Sequence, residues 1–473
     1  MTAAAVPPSS DAVPERLTPE RLAAENRQTD TLLAWLLGGL TFLLASFPVE
    51  DPQVLFSLAV GRMVAQGEFD FGADPFSYTT GDAGWVHPGG LGDWLLYLVH
   101  QAGGGAGLVL LRGVVALAIF LLMWSMQRPG GNRMAAVVTL FLAVLTMSPR
   151  LLVRTELFSV LLLVLTLRLL WQHAQPKGPP TSWWRRWSGG RFWIFLPPLF
   201  ALWVNLDSWF LLGPALTAAW LGGCWLQYRF TLDAAQATVQ RGELKRLALV
   251  LGAGLAACVV NPYHVRVFRL PAELSSPTLD VLNEAYRSRQ LNLSPAQRFR
   301  PPESQAAAAL RQQQQALGEE EVQRRTDLIW RPLGLALTEW SYYPLFMLGF
   351  MLLPFPAGRG LLVGIPAWLL FFALSVYQVR NMAFFAVVAG PLTVLAWQSR
   401  AMALPAVGRL AVLLGQLGRF VVLLALLGSA YLMTEPVPEL LDPRVRGIEA
   451  VRGWINPRGS LGWSMPLDPS LVK

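Results

Sequence analysis

The residues best suited to chemistry lie in one acidic segment, residues 49–104, which separates two apolar runs. The segment holds seven carboxylates and a single basic residue, Arg62. Glu50 and Asp51 open it directly after the first apolar run, where a carboxylate at a membrane surface is partly removed from water. Such a group can act as a general base toward a hydroxyl or bind a metal ion. A solvated acid that ends a helix is the alternative interpretation.

Further candidates follow in the same segment. Asp74 and His87 each precede a proline, which biases the backbone of the preceding residue toward an extended conformation. Side chains on such defined loop geometry favour a site over a random linker. His87 stands six residues before Asp93 and could bind substrate or a metal ion. His264, which follows Asn-Pro-Tyr, is a weaker candidate of the same kind.

Cationic groups occur at the ends of other apolar runs. Arg150, Arg154 and Arg380 have the planar guanidinium that binds a phosphate through two hydrogen bonds. Each could instead extend to the membrane interface as an anchor. Asp207 lies between two apolar runs and could face a substrate or cap the following helix.

The composition defines the elements that must position these residues. The chain has 473 residues, 53% hydrophobic and 14% charged, with a mean hydropathy of +0.41. Soluble domains carry about 25% charge, so a disordered chain is excluded and a soluble enzyme is disfavoured. The sequence predicts an all-α, polytopic transmembrane helical bundle, since one span needs about 20 apolar residues. About eleven spans are predicted, near 32–48, 106–126, 134–148, 157–173, 192–204, 209–227, 246–260, 343–358, 361–378, 382–397 and 410–432.

Charge placement orients these spans. With the N-terminus inside, the inner segments hold 17 Lys and Arg, and the short outer loops hold 4. Cytoplasmic loops carry the excess of basic residues, so the C-terminus is predicted outside and the net charge of +8 gives no reason to expect nucleic-acid binding. The predicted organisation is a cytoplasmic segment 1–30, a transmembrane domain 31–432 with outer loops 49–104 and 261–341, and a short outer tail 433–473.

Several short motifs resemble one family when taken in order. The first loop combines the acids at 50–51, an amphipathic helix over 53–67 ended by Gly67, the stretch Asp74-Pro-Phe-Ser-Tyr-Thr79 and a Trp-Leu pair that opens the next helix. This loop resembles the first periplasmic loop of GT-C-type membrane glycosyltransferases. The likeness is strongest to uncharacterised bacterial members related to the protein mannosyltransferase and aminoarabinose transferase group. It covers most of residues 31–398, with further similar stretches at 149–159, 202–213, 261–263 and 380–384.

The resemblance implies a GT-C-like fold and an activity. Enzymes of this type take a sugar from a polyprenyl-phosphate donor at the outer face of the inner membrane and invert its anomeric carbon. Asp51 matches the proposed base that activates the acceptor, with Glu50 beside it. Independently of the family, the departing phosphate needs a cationic partner, and Arg150, Arg154 and Arg380 could supply it. The acceptor would be a glycan, a lipid or a protein.

Two departures keep a second function open. Many relatives carry His-Gly where this chain has Asp207-Ser208, and Pro52 replaces an aromatic or polar residue. A non-catalytic binder of lipid-linked glycans, a flippase or transporter, or a scaffold therefore remains an alternative. No HExxH or HxxxH spacing occurs, so no zinc site is predicted; a divalent cation is possible, and no cofactor follows from the residues.

Overall fold

The computed structural model describes a helical protein. The residues it describes are 19–49, 51, 53–76, 85–128, 131–174, 192–231, 234–269, 341–353, 363–377, 381–403 and 409–433. These residues form α-helices, short 3-10 turns and loops, without a strand. The prediction of an all-α helical bundle is confirmed for this part of the chain.

Twelve α-helices occur in the described ranges. In chain order they are α1 Pro19–Leu44, α2 Gln53–Gln66, α3 Gly90–Trp124, α4 Arg133–Met147, α5 Glu156–Ala174, α6 Leu196–Leu206, α7 Leu212–Arg229, α8 Ala234–Ala257, α9 Tyr342–Leu352, α10 Ile365–Tyr377, α11 Met382–Ala403 and α12 Arg409–Met433. The 3-10 turns are Ser148–Arg150, Phe192–Phe195, Ser208–Leu211 and His264–Arg269.

Local sequence explains where several helices begin and end. The predicted helix over 53–67 is α2, and it stops at Gly67, whose φ of +73° suits a residue without a side chain. Asn132 caps α4 by accepting hydrogen bonds from the backbone N–H groups of Met134 and Ala135. Within α3, Gly104 leaves the helical conformation, with φ 58° and ψ −148°, so this long helix is kinked.

The helix α11 forms the centre of the bundle. It packs against α4, α5, α9 and α10, and nearly all of its apolar part is buried. The helix α3 packs against α1, α2, α5 and α6, while α8 lies against α6 and α7. Side chains such as Phe385, Leu140 and Phe200 are fully buried between these helices.

The described helices have the composition of membrane spans. Four are long and apolar enough to cross a membrane by length and composition: Gly90–Trp124, Arg133–Arg150, Ser208–Arg229 and Met382–Ser399. Four shorter apolar helices accompany them. The protein is therefore an integral membrane protein, whereas the number of about eleven spans stays a prediction.

Two arginines within predicted spans face the bundle interior. Arg112 donates to the carbonyl oxygens of Ala45 and Phe47, beyond the end of α1, and its guanidinium lies 3.7 Å from the centre of the Phe47 ring. Arg419 on α12 forms an ion pair with Asp30 on α1, with 2.7 Å between Nε and Oδ1. Partners of this kind are what a buried cation requires.

Candidate functional site

Asp51 lies at the junction of two elements. One carboxylate oxygen accepts the Gln53 backbone N–H at 3.1 Å, so Asp51 caps α2. The other oxygen is bound by the Nε–H of Arg154, which lies just before α5. Both side chains are largely buried, with 11% of Asp51 and 25% of Arg154 exposed. The pair fixes a carboxylate and a guanidinium at the same end of the bundle.

His87 and Asp93 form a second acidic unit. His87 Nε2 and Asp93 Oδ2 share a hydrogen bond of 2.5 Å, and the Asp93 side chain is 1% exposed. No described group bonds the second oxygen of Asp93, although it is buried. The His87 ring stacks on Trp85 at 5.0 Å between ring centres and meets the edge of Phe56 at 5.5 Å. His87 is thus held in one orientation and remains partly accessible.

Asp207 is the third carboxylate of this region and is almost fully buried. It accepts hydrogen bonds from Thr155 at 2.8 Å and from Ser159, and the backbone N–H of Trp209 adds a longer one. Burial raises the pKa of Asp207 to about 6, with a smaller contribution from the nearby carboxylate of Glu156. The carboxyl therefore exchanges its proton close to neutral pH.

Close backbone contacts bring the three carboxylates together. A Cβ at residue 61 would lie 2.3 Å from the Asp93 carbonyl oxygen, so only glycine lets α2 pack this closely on α3. At Gly92 a Cβ would lie 2.3 Å from the Leu206 carbonyl oxygen and 2.8 Å from the Thr155 methyl group. These approaches place Asp93 beside the loop that carries Asp207. Thr155, which lies at this contact, binds Asp207, and its neighbour Arg154 binds Asp51.

A cavity opens beside this cluster. Its volume is about 200 Å³, and its lining includes His87, Trp94, Asn205 and Tyr263. Burial raises the pKa of Tyr263, so its phenol stays protonated and can donate a hydrogen bond. Asn205 is held by the carbonyl oxygens of Ala201 and Val260. The cavity combines aromatic walls with a few oriented polar groups, which is typical of small-molecule sites.

The remaining predicted site residues are placed unequally. Glu50 and Arg380 lie outside the described residues. Asp74 accepts the Phe76 backbone N–H at 2.9 Å within a turn, and His264 is exposed with a φ of 51°. Arg150 is half-buried at the end of the Ser148–Arg150 turn. The structure thus joins four candidates directly, as the pairs Asp51–Arg154 and His87–Asp93, and Asp207 is linked to the first pair through Thr155, the neighbour of Arg154.

Several contributors were not among the predicted site residues. Thr155 and Ser159 bind Asp207, and Trp203 donates its indole N–H to Ser159 at 2.7 Å. Asn205 and Tyr263 line the cavity. All five lie in stretches that carried the family resemblance, so order along the chain was the available signal. Over the described ranges, no group of three or more His, Cys, Asp or Glu side chains could hold a metal ion.

Comparison with known proteins adds one similar structure. No protein-family model and no curated protein matches the sequence. A crystal structure of ArnT from Cupriavidus metallidurans bound to undecaprenyl phosphate is 14% identical, with a TM-score of 0.44 over 93% of this chain and 70% of that chain. At so low an identity and TM-score, it carries no conclusion about what this chain binds or does.

Proposed function

We propose that this protein is an integral membrane glycosyltransferase of GT-C type. It transfers a sugar from a polyprenyl-phosphate-linked donor to an acceptor at the outer face of the inner membrane. The observation that carries the proposal is the Asp51–Arg154 ion pair beside Asp207 and the His87–Asp93 pair. Asp51 occupies the motif position of the family's proposed base, and the Arg154 guanidinium beside it supports a role for this region in binding a phosphate.

The chemistry assigns a role to each side chain. Asp51 accepts the proton of the acceptor hydroxyl as that oxygen attacks the anomeric carbon. The bond from the anomeric carbon to the phosphate oxygen breaks, and the polyprenyl phosphate leaves with the bonding electrons. A guanidinium stabilises the negative charge of the departing phosphate. Arg154 also holds Asp51 in place, so it acts as a positioning residue, and Arg150 and Arg380 are the further candidates for the phosphate.

The cavity beside the cluster supports a substrate contact for His87. Its ring stacks on Trp85 and lies at the cavity wall, while Asp93 holds it from behind. Aromatic walls with a few hydrogen-bonding groups suit a sugar ring. His87 and Tyr263 are therefore proposed to bind hydroxyl groups of donor or acceptor.

The test uses the full-length protein in proteoliposomes with a panel of labelled polyprenyl-phosphate sugars and acceptors. Asp51→Asn removes the proton acceptor but keeps the size of the side chain, so we expect transfer to fall at least 100-fold. Glu68→Gln is the matched control, since Glu68 is an exposed acid of the same loop, and it should retain activity. Full activity of Asp51→Asn would contradict the assignment of Asp51 as base.

A second function is favoured by the same contacts. Both oxygens of Asp51 are engaged, one by Arg154 and one by the α2 backbone, which is what a purely structural carboxylate would show. A non-catalytic protein could then bind lipid-linked sugars, or serve as a flippase or scaffold. Donor binding without turnover across the acceptor panel would favour this second function.

A further inference from the structure

A second and larger cavity lies at the opposite end of the bundle. Its volume is about 590 Å³, and it is lined by the beginning of α1, the end of α3 and the loop that leads into α4. Asn26 and Asp30 in the first half of α1 line this cavity, whereas Asp51 follows the end of α1. The two cavities therefore face opposite sides of the membrane, and this one is on the cytoplasmic side in the predicted orientation.

Basic residues outnumber acidic ones in the lining of the large cavity. Arg27, Arg128 and Arg133 line it. The acid Asp30 also lines it, but its charge is already neutralised by the buried ion pair with Arg419. Within the described part of the chain, the Arg128 guanidinium has no hydrogen bond or ion pair, although the residue is half-buried. Among the lining residues of this cavity, three cations thus remain without an acid to balance them, and they create a local field that attracts an anion.

The described residues on either side of the loop before α4 are held by a buried side chain. Gln398 of α11, which is fully buried, accepts the Arg128 backbone N–H at 2.9 Å and donates to the Asn132 carbonyl oxygen at 3.1 Å. A Cβ at residue 131 would lie 2.6 Å from the Gln398 side chain, so the loop passes very close to α11. Arg133 donates to the Thr31 hydroxyl at 2.5 Å. The backbone at Arg128 and the side chain of Arg133 are therefore in place before any ligand binds, and the Arg128 guanidinium is left available to one.

The other side of the cavity is apolar and exposed. Trp35 is 70% exposed and Leu121 45% exposed, and both line the cavity. Leu32 and Leu36, also exposed, lie on α1 on either side of Trp35. In a membrane protein, such a surface faces lipid chains, and tryptophan prefers the level of the headgroups. A cluster of arginines thus adjoins an exposed apolar surface.

We propose that this cavity binds an anionic phospholipid, independently of the proposed transferase activity. Arg27, Arg128 and Arg133 contact the phosphodiester and its headgroup. Trp35 and Leu121 contact the first part of an acyl chain. Guanidinium groups suit a phosphate because they bind it through paired hydrogen bonds, and basic pockets between spans on this side of a membrane bind anionic headgroups.

The experiment measures lipid binding to the full-length protein. Phosphatidylglycerol is titrated into phosphatidylcholine nanodiscs, and retained lipid is counted by native mass spectrometry. For Arg128→Gln with Arg133→Gln we expect about 30-fold weaker binding of the tightest phosphatidylglycerol, since each basic residue contributes about 1 kcal/mol and a tenfold change is about 1.4 kcal/mol. Arg241→Gln with Lys245→Gln removes the same charge from an exposed part of α8 and should leave that binding unchanged.

A single variant keeps the proposal testable if the double variant does not fold. Arg27 is exposed on α1, so Arg27→Gln should leave the fold intact and weaken binding about fivefold. Equal loss in the α8 control would attribute the binding to general surface charge and overturn the site. Competition by inorganic phosphate or glycerol phosphate at the same affinity as the lipid would also overturn it, because no acyl chain would then be needed.

Discussion

Asp51 and Asp207 lie in the same region but differ in their hydrogen-bond partners and in their burial. Asp51 meets the Arg154 guanidinium and the backbone N–H of Gln53. Asp207 meets only neutral donors and is fully enclosed. Asp51 therefore has charged and polar partners at the end of a helix, whereas the enclosed carboxyl of Asp207 has a pKa raised to about 6 by burial.

The raised pKa of Asp207 predicts a pH-dependent stability. Between pH about 4 and 6 the folded chain holds a proton that the unfolded chain has released, since the pKa is about 6 in the fold against an ordinary 3.8. Stability contributed by this proton is present at the acidic end and is lost as pH rises through the window. The free energy of unfolding of Asp207→Asn, relative to that of the natural protein, should therefore rise with pH, by at most about 3 kcal/mol.

The measurement is the difference in Tm between Asp207→Asn and the natural protein from pH 4 to pH 7. It should increase across the window and level off above pH 6. The exposed acid Glu68 supplies the control, and Glu68→Gln should give a nearly constant difference. If the Tm of Asp207→Asn and that of the natural protein change in parallel with pH, Asp207 does not keep its proton in the folded protein over this range.

At the scale of elements, glycines decide how closely the helices approach around the candidate site. Gly61 and Gly92 lie where α2 crosses α3 and where α3 meets the end of α6, and each touches a backbone carbonyl of its neighbour. A side chain at either position must push one backbone away from the other. The position of Asp93 relative to Asp51 and Asp207 therefore depends on the absence of a side chain at Gly61 and at Gly92.

Gly61→Ala is predicted to damage both stability and the site. The added methyl group would lie 2.3 Å from the Asp93 carbonyl oxygen, so α2 must move, at a cost of about 1–3 kcal/mol. Movement of α2 also displaces Asp51, which caps it, so transfer should fall together with Tm. Gly39→Ala is the matched control, because nothing lies near that position in α1. It should be neutral or stabilising by up to about 1 kcal/mol, and an equal Tm for the two variants would contradict the close packing.

Sequence patterns predicted the helices better than their side-chain partners. Apolar runs and Gly67 gave most helix bounds to within a few residues, because burial in a membrane demands long apolar stretches. The partner of Asp51 did not follow from any pattern, since Arg154 is 103 residues away. Such pairs depend on how each helix is rotated about its axis, and that rotation is set by packing at crossings such as Gly61. The motif order indicated the region of the site, whereas its hydrogen bonds required the folded arrangement.

For the whole molecule, orientation in the membrane is the property on which both proposed sites depend. The excess of basic residues in alternate loops predicts that Glu68 is outside and Arg241 inside. Both residues are exposed, so their replacement should leave the fold intact.

Labelling of single cysteines in intact cells tests this orientation. With Cys224 and Cys258 replaced by alanine, Glu68→Cys should react with a membrane-impermeant maleimide and Arg241→Cys should react only after the cells are opened. The natural cysteines must be removed because both are free thiols. The reverse labelling pattern would place the acidic cluster in the cytoplasm and exclude a reaction at the outer face.

The break in α3 at Gly104 bears on which molecules can reach the acidic cluster. Counted from Trp124, about 20 residues at about 1.5 Å each span a hydrocarbon layer of about 30 Å, and this count ends at Gly104. The segment from Gly90 to Gly103, with Asp93 near its start, then lies outside the hydrocarbon layer. If the protein is the proposed transferase, a water-soluble acceptor would reach Asp51 and Asp93 by diffusion from the aqueous side, and the lipid-linked donor would enter from the membrane. The solubility of the acceptor would then not need to match that of the donor.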